Sequence, residues 1–101
     1  MVKERVLVFD ERFTKKYRKL DKSLQIEGDK KILRLKEKLS GKPLFDVYPN
    51  LYELYLRSYR IYYLVEDNQI RIMILAIEHK NNQQKFLNQA KKFIEQLKEN
   101  S

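Results

Sequence analysis

The chain has 101 residues, with 22 Lys and Arg against 14 Asp and Glu for a net charge of +8; that length fits one domain over residues 1–101, and that balance favours a polyanionic partner such as nucleic acid, a ribosome or an acidic protein. With no cysteine and one histidine, disulfides, thiolate chemistry and an ordinary structural zinc site are excluded, and neither a metal nor another cofactor is expected. Charges interrupt the opening MVKERVLVFDERF and no apolar run approaches the roughly 18 residues of a membrane span, so no leader, anchor or membrane partner is expected and the protein reads as cytoplasmic.

Arg5 to Phe9 is a short β-rich run, and Asp10 behind it is placed to cap a helix with Glu11 in the first turn. Phe13, Tyr17 and Leu20 then recur at helical spacing, which predicts about three turns with one apolar stripe and basic residues elsewhere. Ser23 is placed to cap a second helix, continued by Ile32, Leu35 and Leu39. Gly28 weakens its first half, and Gly41 is expected to end it before Pro43. The two helices are expected to form a hairpin. Residues 41–50, GKPLFDVYPN, read as a loop whose Leu44, Phe45, Val47 and Tyr48 fold back onto the domain.

From Leu51 to Ile77 the pattern is that of three consecutive strands. Leu51 to Arg57 alternates, with Tyr52, Leu54 and Leu56 on one side and Glu53, Tyr55 and Arg57 on the other. Tyr59 to Glu66 is aromatic and β-branched, Asp67-Asn68 makes a turn, and Gln69 to Ile77 follows. Helical spacing returns between Asn82 and Asn100 in Phe86, Ala90, Phe93 and Leu97, and KENS reads as a frayed tail. The order predicts an α+β fold: an antiparallel sheet, formed by a meander with the first strand added at an edge, with an N-terminal helical hairpin and a C-terminal helix packed on one face.

If Leu54, Leu56, Ile61, Tyr63, Val65, Ile70, Ile72 and Ile74 meet the helices, then Glu53, Tyr55, Arg57, Arg60, Tyr62 and Arg71 face outward. That outer face is basic and aromatic. Arg57 and Arg71 suit RNA backbone, while Tyr62 and Phe86 suit stacking on an unpaired base. Alternating polar residues are equally the rule for a merely solvated sheet face, and Phe86 also begins the apolar stripe of its helix.

The basic helices after the first strand, followed by LYELYLRSYRIYYLVEDNQIRIMILAIEHK, resemble the RelE/ParE superfamily of toxin components from toxin–antitoxin pairs. LFDVYPNLYELYLR and the late QAKKFIEQL resemble its HigB-like branch. The resemblance implies a ribosome-dependent messenger RNA endonuclease held inactive by a short, more acidic cognate antitoxin. ParE-type members instead inhibit DNA gyrase and are not nucleases, which leaves gyrase as an alternative partner and a degenerate, binding-only member as a further reading. Arg60 matches the arginine that the ribosome-dependent nucleases place against the scissile phosphate. Glu53 and Tyr55 stand where RelE proteins proper carry two strand lysines, so the acid–base scheme differs. Lys80 falls at a second arginine, Phe86 at a base-stacking tyrosine, and His79 near a histidine that some relatives use in proton transfer. The resemblance thus implies a metal-free catalytic set drawn from Arg60, His79, Lys80, Glu53 and Tyr55, with messenger RNA and the ribosome as partners.

Overall fold

The computed structural model describes residues 4–99, so Asn100 and the end of the KENS tail, like the first three residues of the opening segment, lie outside the described part. The chain runs through β1 (Val6–Phe9), α1 (Glu11–Tyr17), α2 (Lys22–Arg34), β2 (Lys42–Pro43), β3 (Leu51–Leu56), β4 (Tyr59–Glu66) and β5 (Arg71–His79). A 3-10 turn over Lys80–Asn82 leads into α3 (Gln83–Glu99). Asp10 caps α1 as its position predicts, accepting from Arg12 N at 2.9 Å. α1 is seven residues, shorter than its stripe suggests, because the chain turns away after Tyr17. The cap position of α2 is Asp21 rather than Ser23, whose hydroxyl bonds the Asp21 carboxylate at 3.2 Å.

Gly28 does not weaken α2 but admits α1 to it: a Cβ there would lie 2.4 Å from Tyr17 Oη, which bonds Gln25 O and Asp29. α2 ends at Arg34, well before Gly41. Gly41 instead takes φ +108° beside the Glu53 carbonyl and brings the short β2 onto β3.

The sheet has five strands in the order β1-β5-β4-β3-β2 and is mixed. The expectation of an antiparallel sheet fails at β1, which pairs parallel with β5, Val6 facing Arg71 and Phe9 facing Ile74. The reason is the crossover through α1 and α2, which brings the chain back so that β3 runs in the direction of β1. β5, two reversals later, runs that way again.

Helices cover both faces, not one. Phe13, Ile32 and Leu35 of the first two helical segments pack on Leu54, Leu56, Ile61, Tyr63, Val65, Ile72 and Ile74. α3 closes the opposite face, setting Ala90 and Ile94 against Leu51, Tyr62, Leu64, Leu75 and Ala76, with Leu44 from the loop before β3. An open second face was expected from its polar residues, but Leu51, Leu64 and Leu75 also point there and require a cover.

A bulge in β5 fixes what faces what. Tyr62 pairs with Ala76 and Tyr63 with Ile74, leaving Leu75 as an extra residue. Leu75 and Ala76 both join the α3 core, and Ile77 returns to the other. Counting by twos from Ile74 sends residue 78 to the α1/α2 side and residue 79 to the α3 side. The bulge exchanges them.

Candidate functional site

β3, β4 and β5 carry two cross-strand rows on the α3 face: Tyr55, Arg60 and Glu78 near the strand ends, and Glu53, Tyr62 and Ala76 one step inward. The inner row is sealed. Glu53 is fully buried, and its Oε2 accepts from Gln83 Nε2 of α3 at 2.6 Å. Phe86 stacks on the buried Tyr62 ring with centroids 4.1 Å apart. Burial first, and the Glu53 carboxylate second, push the Tyr62 phenol above its ordinary value.

The outer row is partly open, with Tyr55 exposed and Arg60 and Glu78 partly buried. Arg60 Nη1 donates to the carbonyls of Arg57 at 2.8 Å and Tyr59 at 2.9 Å, while its guanidinium carbon sits 4.0 Å from the centroid of the exposed Tyr55 ring. Carbonyls at one nitrogen and a π-face below fix the guanidinium, and Arg60 Nε is buried without a partner. Glu78, with a side chain 18% exposed, pairs with Lys16 of α1 at 2.5 Å. The two line a cleft of about 330 Å³ with Asn82, Lys85, Phe86 and Gln89. Beyond Tyr55 lies a second groove, of about 440 Å³, lined by Lys31, Arg34, Lys42 and Tyr55 among others. Lys31 Nζ donates to Tyr55 O at 2.6 Å, tying α2 to that strand. Arg60 and Tyr55 therefore stand between two basic recesses.

The same architecture occurs in the isolated E. coli RelE toxin, 28% identical over 74% of this chain and 83% of that chain, with a TM-score of 0.64. The structure of the intact E. coli RelBE toxin–antitoxin complex gives 30% identity over 74% of this chain and 95% of that chain, with a TM-score of 0.57. This chain belongs to the RelE/ParE superfamily. The toxin–antitoxin complex RelBE2 of Mycobacterium tuberculosis, 18% identical over 78% of this chain and 94% of that chain, shares the fold at a TM-score of 0.66. No family model and no curated protein matches the sequence.

In this RelE/ParE chain the residues singled out in the sequence are only partly brought together. Arg60 and Tyr55 are neighbours, and Arg57 sits at the β3–β4 turn with φ +52°, paired with Glu27 at 3.5 Å. Lys80 is exposed just past β5, its backbone N–H held by Ser58 O at 2.7 Å. His79 is turned away from Arg60. Its ring meets Tyr59 edge-on at 5.4 Å on the α1/α2 side, and its Nδ1 accepts from Asn81 N at 3.1 Å to cap the 3-10 turn. Arg71 pairs with Glu66 at 3.8 Å at the far end of β5, roughly 23 Å of strand from Glu78. Glu53, Tyr62 and Phe86 were expected at an open face; α3 buries the first two and holds the third in its packing.

Sequence reasoning passed over Glu78 and Lys85. Their only signal was charge, and the bulge that turns Glu78 toward Arg60 is set by pairing between strands. No helix among the described residues is long and apolar enough to cross a membrane, and no cluster of three His, Cys, Asp or Glu is placed there to hold a metal.

Proposed function

We propose that this chain is the toxin of a type II toxin–antitoxin pair and acts as a ribosome-dependent messenger RNA endonuclease. The observation that carries the reading is Arg60: a guanidinium locked in place beside the exposed Tyr55 ring, between two basic recesses. Metal-free cleavage uses the ribose 2′-hydroxyl as nucleophile and leaves a 2′,3′-cyclic phosphate and a 5′-hydroxyl. Charge grows on the non-bridging phosphate oxygens in the transition state, and a preorganised, permanently charged fork stabilises it without reorganisation. Tyr55 positions Arg60 and offers its exposed face to a base. Lys80, Lys85 and Arg57 neutralise the RNA backbone around it. An antitoxin partner is supported by similar structures that are themselves toxin–antitoxin complexes.

The test is a purified translation system in which new 5′ ends on a message are mapped after addition of the protein. Ends within codons, dependent on elongating ribosomes, are expected. Arg60→Ala should lose on the order of 10²- to 10³-fold in cleavage rate while keeping its circular dichroism spectrum and ribosome association. Full activity in that variant defeats the role of Arg60. In cells producing the chain, growth arrest with intact messages and damaged DNA would move it to the gyrase-inhibiting branch.

A further inference from the structure

Endonuclease chemistry needs a base for the 2′-hydroxyl and an acid for the 5′-oxygen, and neither histidine nor the strand glutamate is in position. His79 lies on the wrong side of the sheet with Nδ1 committed to a cap, and Glu53 is sealed beneath α3. The bulge in β5 supplies a different pair. We propose, resting on the endonuclease reading, that Glu78 is the general base and Lys16 the general acid of this cleavage.

Glu78 is directly opposite Arg60 in the β4–β5 register, on the same face, so a phosphate gripped by Arg60 brings its 2′-oxygen within reach of the carboxylate. It is also the carboxylate that lines the cleft, among Lys16, Lys85, Asn82 and Gln89. Lys16 is 57% exposed on a flexible stem from the last turn of α1, free to leave Glu78 and follow the departing oxygen. In the step itself the 2′-hydroxyl proton passes to a Glu78 oxygen as the O2′–P bond forms. The P–O5′ bond breaks with its electron pair on O5′, which takes a proton from the Lys16 ammonium. Glu78 is then protonated and Lys16 neutral. Because the two meet at 2.5 Å in the resting protein, the proton returns from carboxyl to amine and the site resets with no other reactant.

The translation system above tests the assignment with Glu78→Gln, Glu78→Asp and Lys16→Met. Glu78→Gln and Lys16→Met should each lower kcat by about 10²-fold or more with KM unchanged, and Glu78→Asp should recover part of the loss. A message with a bridging 5′-sulfur at the cleaved bond separates the roles, since a thiolate leaves without needing a proton. That substrate should restore cutting to Lys16→Met and not to Glu78→Gln. Glu78→Gln cutting at the wild-type rate, or rescued by sulfur as well as Lys16→Met is, overturns the proposal while leaving the Arg60 reading intact. Lys16→Met, on an exposed helix position, carries the test if Glu78→Gln does not fold. No cutting by the unaltered protein removes the endonuclease reading, and the pair's role with it.

Discussion

At Tyr62 a phenol hydroxyl is buried without a hydrogen-bond partner, next to Glu53 Oε1 and Arg60 Nε in the same condition. The Glu53 carboxylate is near enough for its charge to act on the phenol. Each such group costs about 1–3 kcal/mol. Tyr62→Phe should therefore leave stability at neutral pH unchanged or raised, as measured by urea unfolding. The same measurement against pH has a definite sign. Burial raises the phenols of Tyr62, Tyr63 and Tyr17 in the folded protein, with Asp29 adding to it at Tyr17. They ionise first in the unfolded chain, so their stabilisation is complete below the ordinary tyrosine value of about 10 and is lost as pH rises past it. Unfolding free energy should fall on the alkaline side, less steeply in Tyr62→Phe.

At the scale of elements, α3 decides how much of the sheet is open. Its Ile94 is fully buried against the second core, and Ile94→Ala should cost about 2–5 kcal/mol in denaturant unfolding. The strands β1, β3, β4 and β5, the capped α1 and the apolar stripe of α3 were legible in the sequence because periodicity is a property of one segment, whereas the two-residue β2 lay in a stretch read as a loop. Tyr59–Glu66 falls where alternation places it, and Leu54, Leu56, Ile61 and Tyr63 share a face as the count by twos predicts. What failed depends on two segments at once. The parallel pairing of β1 with β5, the docking of α3 on the second face and the extra Leu75 are each settled by a partner strand or sheet that no local pattern contains. A count by twos along β5 that ignores the bulge puts Glu78 on the α1/α2 side, away from Arg60. Arg60 was singled out because the YRIYYLV segment resembles the family, and its contact with Tyr55 follows from simple hairpin register.

Across the whole molecule the net charge of +8 is not spread evenly over function. Lys85 lines one recess and Lys31, Arg34 and Lys42 the other, with Arg60 between them. If these groups hold RNA phosphates, ribosome association should weaken steeply with added salt, and Lys85→Ala should lower the slope of log affinity against log salt by about one. Equilibrium sedimentation of the protein with ribosomes over a salt series reads this directly; a flat response would show that contacts other than phosphates dominate. The topology has a separate consequence, in time. β1 is synthesised ahead of every other element, yet its partner is β5, and the contacts that seat it, such as Arg5 Nε to Gln69 O, span 64 residues. A strand that waits so long for its neighbour closes the longest-range strand pairing in the sheet and closes it late. On the ribosome the sheet edge at β1 is therefore completed only after the Arg60 strand has emerged.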